Sequence, residues 1–175
     1  MTGTAKGREL WLTAGQQLLR TGGIGAVKLQ ALTDELGLTT GSFYHYFTGM
    51  ADYLEQLAGY YGTTQPTAGL ALADDADPRT RLRRLYTLSK DGRMGALDAA
   101  MRDWAGSNTM AAQAVRNADT LVLRFVEQAF IDLGYPRHDA QTRAQLLFSA
   151  GVARIHAPWK RHAHPLDEAL EILAP

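Results

Sequence analysis

Hydrogen-bonding side chains are concentrated between residues 39 and 46 of this chain, next to apolar residues at helical spacing. Phe43 and Phe47 stand four residues apart, so on a helix they would share one face. An apolar back that fixes the angle of a helix, together with a front of small donors and acceptors, is what entry into the major groove of DNA requires. The front of this segment would consist of Thr39, Thr40, Ser42, Tyr44, His45 and Tyr46.

Two short helices are predicted to hold this segment, one on each side of Gly37. Leu32 and Leu36 lie on the apolar stripe of the first helix, and a glycine is a common helix end. In the second helix, predicted over 40–47, Thr39 can cap the first backbone N–H groups and Gly41 lets the backbone approach a partner closely. The spacing alone also fits an ordinary pair of packed helices whose aromatic rings fill a core.

The rest of the chain has helical periodicity as well. Trp11 and Leu18 share one face of a predicted first helix, and Met50 and Leu57 share one face of a predicted fourth helix. No comparable run of strict alternation occurs, so the predicted fold class is all-α, with about nine helices. Beyond residue 63, helices are predicted at about 78–91, 93–106, 109–133, 139–157 and 165–173.

The stretch 63–77 is predicted to separate two domains. Pro66 and a cluster of aspartates interrupt the helical pattern there, and Asp77 followed by Pro78 is a typical helix start. The expected domains are an N-terminal helix-turn-helix domain over 1–62 and a second helical domain over 63–175.

Composition narrows the function classes. The 18 basic residues balance 18 acidic ones, and residues 1–62 hold four basic against five acidic side chains, so no basic surplus favours nucleic acid. Cysteine is absent and the apolar stretches are too short to span a bilayer, which predicts a cytoplasmic protein without disulfides or a membrane anchor. Neither a glycine-flanked serine elbow nor a metal motif occurs, so catalysis is not expected.

This chain resembles the DNA-binding signature of the tetracycline-repressor (TetR) family in two blocks, Leu36-Gly37-Leu38-Thr39 and Gly41-Ser42-Phe43-Tyr44-His45-Tyr46-Phe47. The resemblance covers about residues 8–60, including an opening helix and the start of a fourth. The sequence departs from the family pattern at Met50 and Lys28, where many members carry lysine and threonine. The resemblance implies that Phe43 and Phe47 are core residues. It assigns DNA contacts to Lys28, Gln30, Thr39, Thr40, Gly41, Ser42, Tyr44, His45 and Tyr46.

The second half is more loosely similar to one branch of this family. That resemblance implies a ligand pocket between the helices predicted at 78–91, 93–106 and 109–133. Aromatic and methionine side chains there suit an apolar or aromatic effector, although each could instead simply fill the core. Trp104 is the first choice among the predicted lining residues, which are Leu85, Tyr86, Met94, Leu97, Met101, Trp104, Met110 and Phe125.

The helix predicted at 139–157 has two apolar faces, one for its own core and one for a partner. Small residues such as Ala150 and Gly151 let helices approach closely. The resemblance implies a homodimer in which this helix and the one at 165–173 form a four-helix bundle. Neither a metal nor a cofactor is expected, since no ligand pattern matches the spacing of His156, His162, His164 and Asp167.

The residues and the resemblance together give one expected function and one alternative. The expected protein is a ligand-responsive transcriptional regulator, a repressor that binds double-stranded operator DNA and is released by a small apolar or aromatic molecule. The alternative keeps the same fold but sequesters a ligand or binds another protein. Weakened DNA binding, which this alternative requires, is favoured by the acidic balance of residues 1–62 and by Met50.

Overall fold

The computed structural model describes residues 2–89, 92–156 and 171–173, and this part of the chain contains helices but no strand. Its nine α-helices confirm the all-α fold class. They are α1 (Thr2–Gly22), α2 (Leu29–Leu36), α3 (Thr40–Tyr44), α4 (Met50–Gly59), α5 (Gln65–Ala73), α6 (Pro78–Ser89), α7 (Gly92–Ala105), α8 (Thr109–Asp132) and α9 (Arg137–His156). A 3₁₀ turn at Ile24–Ala26 and a π-helical turn at Tyr60–Thr64 complete the order. None of the described helices has the length and apolarity needed to cross a bilayer.

The stretch 63–77, predicted to interrupt the helical pattern between two domains, is helical over most of its length because α5 occupies Gln65–Ala73. Pro66 cannot donate a backbone hydrogen bond, and the π-helical turn before it widens the helix at this point. We attribute the continuation of the helix into α5 to that widening. The alanines and leucines that follow are strong helix formers. Only the short turn before α6 remains irregular, and there Asp77 Oδ2 accepts a hydrogen bond from the Thr80 N–H at 2.8 Å.

The later helices agree with their predicted ranges to within two residues at the ends that the structure describes. The largest difference is at α9, which begins at Arg137 instead of Asp139. Pro136 directly precedes α9, so the helix starts immediately after the proline and Asp139 lies in its first turn. The helix predicted at 165–173 lies outside the described residues except for 171–173, which are helical. The side chains of His156, His162, His164 and Asp167 also lie outside them.

The chain forms two compact units. The first comprises Met1–Thr64 and Ala96–Asn117, and the second comprises Gln65–Gly95 and Ala118–Pro175. This division differs from the predicted domains of 1–62 and 63–175, because the end of α7 and the start of α8 pack with the N-terminal helices. Such a contact joins residues far apart in sequence, and local periodicity carries no information about it.

Aromatic side chains form the centre of the first unit. Trp11 is fully buried, and its ring meets Phe43 edge to face with 5.4 Å between the centroids. Phe47 packs against Tyr53 at 4.9 Å, and the Tyr53 hydroxyl donates a hydrogen bond to the Trp11 carbonyl oxygen at 2.8 Å. Gly15 makes this approach possible, since a methyl group there would overlap the Tyr53 hydroxyl. These contacts hold α1, α4 and the segment around α3 together.

The core of the second unit gathers side chains from α6, α8 and α9. Leu82, Phe130 and Ala144 are buried within it. Beside this core the guanidinium of Arg81 forms an ion pair with Asp132, although only 9% of Arg81 is exposed. The pair links α6 to the end of α8.

Candidate nucleic-acid interface

The turn between α2 and α3 is fixed by Gly37. Its φ is 62°, in the left-handed region that favours glycine. The Gly37 N–H donates to the Asp34 carbonyl oxygen at 3.4 Å, and the Leu38 N–H donates to the Thr33 carbonyl oxygen at 3.1 Å. This pair of hydrogen bonds is a common way for a helix to end on glycine, and it directs the chain from α2 into α3.

Thr39 caps α3, which confirms the prediction for this residue. Its backbone is extended (φ −86°, ψ 157°), and its Oγ1 accepts a hydrogen bond from the Ser42 N–H at 3.3 Å. Two residues further on, a methyl group at Gly41 would meet, among the described residues, only Thr39 Oγ1 at 3.7 Å. Packing inside the protein therefore does not demand glycine at 41, and the backbone there is open to a ligand from outside.

The helix that carries the polar front is shorter than predicted. α3 ends at Tyr44 instead of residue 47, and His45 and Tyr46 follow in a turn. The N–H groups of Tyr46 and Phe47 both donate to the Phe43 carbonyl oxygen, at 2.9 and 3.1 Å. This turn keeps Phe47 on the buried side, next to Phe43, with 5.0 Å between the ring centroids.

The two faces of this segment differ sharply in exposure. Phe43 is fully buried and Phe47 is 2% exposed, which confirms both as core residues. Tyr44 is 58% exposed on the opposite side. Ser42 and Tyr46 are half-buried, and the other predicted contact residues of this segment are exposed, namely Thr39, Thr40, Gly41, Tyr44 and His45.

Tyr46 lies at the edge of the front and also packs inside the protein. Its hydroxyl lies against Gly7 of α1, where an added methyl group would overlap it. Its ring meets His45 edge to face at 4.9 Å between centroids. The sequence predicts a DNA contact here, whereas the structure adds a packing role between α1 and the end of the front.

Lys28 and Gln30 are exposed at the start of α2. Lys28 occupies the N-cap position in an extended conformation, and its side chain makes no capping hydrogen bond. The Gln30 side-chain amide donates to Asp34 Oδ1 at 2.8 Å, along the same helix. A contact from Gln30 to DNA would have to replace that bond.

A carboxylate stands at the junction of α3 and α4. Asp52 accepts hydrogen bonds from the Gln56 side-chain amide and from the Thr48 N–H, each at 2.7 Å. These bonds, with a smaller attraction from Arg8, hold the pKa of Asp52 below its usual range. The resulting anion suits the first turn of a helix but repels a nearby phosphate.

Sequence reasoning misses the contacts of the π-helical turn after α4 with α7 and α8. The Tyr61 hydroxyl donates a hydrogen bond to Asp98 Oδ1, and the Arg102 Nε donates to Asp98 Oδ2 at 2.9 Å. Gly62 faces Ala114, where a methyl group would lie 3.0 Å from the Ala114 Cα. The four-residue spacing of Asp98 and Arg102 is a local signal for their ion pair, but no local signal reveals Tyr61 as the third member.

The predicted ligand-lining residues fall into two groups. In the first unit, Leu97, Met101 and Trp104 are buried and Met110 is half-buried. The second unit contains Leu85, Tyr86, Met94 and Phe125. Clefts of about 350 Å³ at the α7–α8 turn and about 260 Å³ beside α6 are lined by other residues.

Two residues of the second group have contacts of their own. Leu85 packs against the core around Phe130. The sulfur of Met94 accepts a hydrogen bond from the Gln65 side-chain amide at 3.3 Å, and Met94 is 37% exposed. The assignment of these residues to a ligand site stays a prediction.

Residues 12–57 match the family model described as bacterial regulatory proteins of the tetR family. The comparison with curated proteins gave no match. Escherichia coli NemR in its reduced form has a TM-score of 0.73 at 21% identity, with 96% of this chain and 95% of that chain covered.

Two further solved structures are similar over almost their whole length. A TetR-family protein from Vibrio parahaemolyticus has a TM-score of 0.69 at 22% identity, covering 95% of each chain. NalD of Pseudomonas aeruginosa, described as the secondary repressor of the MexAB-OprM multidrug efflux pump, has a TM-score of 0.56 at 16% identity, covering 97% of this chain and 96% of NalD. The chain therefore carries a TetR-type helix-turn-helix domain at its N-terminus and has the all-α fold of the TetR-family transcriptional regulators.

Proposed function

We propose that this protein is a transcriptional repressor that binds operator DNA through α3. The observation that carries the proposal is the two-sided burial of this segment, in which Phe43 is fully buried while Tyr44 is 58% exposed. Nothing in the packing of the described residues requires so many exposed polar and aromatic groups on one short element. The description of NalD as a repressor supports the same output for a chain of the same fold.

Ser42 and His45 test the proposed recognition surface. An operator is first selected from a pool of random DNA duplexes, and binding is then measured by fluorescence anisotropy. Replacement of either residue by alanine is expected to weaken operator binding by about 1–3 kcal/mol, roughly 5- to 150-fold, because each removes a base-reading or positioning group. Binding to an unrelated duplex should change much less.

Thr21→Ala is the matched control for these variants. Thr21 is an exposed polar residue at the end of α1, and its hydroxyl donates to the Gln17 and Leu18 carbonyl oxygens of its own helix. Operator affinity should therefore be unchanged. Unchanged operator affinity in both Ser42→Ala and His45→Ala would refute the assignment of α3 and the turn after it as the reading element.

We also propose that a small apolar or aromatic molecule releases the protein from DNA by binding beside Trp104. Trp104 is 4% exposed and belongs to the same compact unit as α3 and α4. Within that unit, Asp98 of α7 accepts the hydrogen bond of Tyr61, directly after α4. A shift of α7 on ligand binding would therefore move α4. It would thereby change the spacing of the recognition helices in the two copies of a dimer, which must lie about 34–36 Å apart to bind DNA.

Ligand release is tested by displacement of a labelled operator with a panel of aromatic and apolar compounds. A coupling of about 1–3 kcal/mol should lower operator affinity about 5- to 150-fold, and the operator must weaken binding of the same compound by the same factor. A displacing compound whose affinity is equal with and without operator would contradict this mechanism. If the compound still displaces the operator from the Trp104→Ala variant, the ligand site does not lie beside Trp104.

A second candidate function is ligand sequestration or protein binding without a strong DNA contact. The observation in its favour is the excess of five acidic over four basic side chains in residues 1–62. This candidate predicts that no high-affinity operator is selected and that duplex binding stays weak even at low salt, where electrostatic affinity is greatest. The selection experiment above separates it from the repressor.

A further inference from the structure

Positive charge is scarce in the N-terminal region that carries α3. Residues 1–62 contain four basic side chains, on Lys6, Arg8, Arg20 and Lys28. Neither α3 nor α4 contains a basic residue. Because affinity for DNA depends largely on neutralised phosphates, the front must obtain its positive charge from another element.

Two neighbouring contacts place Arg8 of α1 at the edge of this front. Gly7 lies directly against the Tyr46 hydroxyl, with no room for a side chain at that position. The Cζ atom of Arg8 lies 5.9 Å from the centroid of the Phe47 ring, within the range of a cation–π contact. Arg8 is itself exposed. Gly7 and Arg8 of α1 thus contact Tyr46 and Phe47, the last two residues of the recognition segment.

The surroundings of Arg8 already include one anion. Asp52 stands at the junction of α3 and α4, held there by hydrogen bonds from Thr48 and Gln56. Arg8 attracts this carboxylate and contributes to the lowering of its pKa. The guanidinium therefore offsets the negative charge with which Asp52 would repel a phosphate at this junction.

We infer that Arg8 binds a phosphate of the DNA backbone beside the junction of α3 and α4. The inference rests on the proposed function and adds a residue outside the helix-turn-helix itself. Arginine suits this role because pairs of its N–H donors match two phosphate oxygens. Contact with Phe47 restricts the side chain before DNA arrives, so less conformational freedom is lost on binding.

The inference is tested by the salt dependence of duplex binding, measured by fluorescence anisotropy with the full-length protein at several salt concentrations. The variants are Arg8→Gln, Arg8→Lys and Arg20→Gln. Arg20 is the matched control, because it lies on the same helix twelve residues away, about 18 Å along the axis, and contacts Gln17. Helicity by circular dichroism verifies that each variant is folded.

Arg8→Gln is expected to reduce the slope of log K against log salt by about 0.9, the value for one phosphate contact. Its affinity deficit relative to wild type should then shrink about 3- to 4-fold between about 50 and 200 mM salt. Arg8→Lys should keep the wild-type slope because it keeps the charge, and Arg20→Gln should keep it because its charge lies elsewhere.

An unchanged slope in Arg8→Gln would overturn the inference while leaving the proposed function intact. An equal reduction of the slope in Arg20→Gln would also overturn it, since the effect would then belong to net charge and not to the position of Arg8. A wild-type protein that binds no duplex at all would overturn the proposed function and this inference together.

Discussion

Gly15 and Tyr53 occupy adjoining space, which makes substitutions at the two positions interdependent. The Tyr53 ring is fully buried, and its hydroxyl donates to the Trp11 carbonyl oxygen at 2.8 Å. Burial raises the pKa of Tyr53 far above its usual range, so the hydroxyl keeps its proton at any ordinary pH. A methyl group on Gly15 would overlap this hydroxyl and would lie 3.0 Å from the ring carbon that carries it.

The single substitutions should each destabilise the protein or leave it little changed. Gly15→Ala forces the Tyr53 ring to move, and this overpacking should lower the free energy of unfolding by about 1–3 kcal/mol. Replacing a helical glycine by alanine should by itself raise the free energy of unfolding by about 0.5–1 kcal/mol. Tyr53→Phe removes one buried hydrogen bond and should cost about 1 kcal/mol. If the two effects were independent, the double variant would be about 1–3 kcal/mol less stable than wild type.

The double variant should instead be at least as stable as Tyr53→Phe alone. Once the hydroxyl is absent the new methyl group has space, and only small shifts are needed from the ring and from Leu57, whose Cδ1 would be 3.3 Å away. The expected coupling is about 1–2 kcal/mol in the stabilising direction. Urea unfolding measures it, at one fixed protein concentration because self-association makes apparent stability depend on concentration.

Gly59 provides the matched control for this cycle. It is also a helical glycine of the same unit, but among the described residues nothing lies within 4 Å of a methyl group placed there. Gly59→Ala combined with Tyr53→Phe should therefore be additive within about 0.5 kcal/mol. If the effects of Gly15→Ala and Tyr53→Phe on the free energy of unfolding were also additive within about 0.5 kcal/mol, the close approach of Gly15 and the Tyr53 hydroxyl would not couple the two positions.

Two further predictions concern the second unit. Hydrogen bonds from Arg81 and then Gln128 lower the pKa of Asp132, so its stabilising effect is present above the unfolded pKa of about 4 and is lost as pH falls through the folded value. Asp132→Asn should cost about 1–2 kcal/mol at pH 7, and urea unfolding should find this difference much smaller near pH 3; an equal difference at both would contradict the ion pair as its source. Leu146 is 56% exposed on α9, beside the exposed Ala150 and Gly151, and we expect a homodimer through this face. Sedimentation should give twice the 19.1 kDa chain mass at micromolar concentration and a lower mass for Leu146→Glu, whereas one chain mass for the wild type would exclude the dimer.

Local features of the recognition segment could be predicted because their causes are local. The left-handed Gly37, the Thr39 cap and the four-residue spacing of Phe43 and Phe47 are each decided within a few residues of chain. The position of α5 could not be derived in the same way. A proline normally ends a helix, and here the π-helical turn before Pro66 allows the chain to continue as far as the aspartates after Ala73.

Contacts between distant helices were beyond local patterns, although one signal was present. Gly7 and Gly15 are eight residues apart on α1 and therefore lie on the same helix face. Each accommodates a tyrosine hydroxyl, from Tyr46 and Tyr53 respectively. A glycine inside a helix costs stability, so a pair on one face indicates that something approaches closely, but it does not identify the approaching residue.

The brevity of α3 has a consequence for how this protein could acquire new DNA targets. A helix of five residues is far too short to persist alone in water, so its shape is imposed by Phe43 against Trp11 and by the flanking turns. Exposed residues such as Thr40 contribute little to that shape, and exposed substitutions usually change stability by less than about 0.5 kcal/mol. Binding preference can therefore drift through single amino-acid changes on the exposed side without crossing unfolded intermediates.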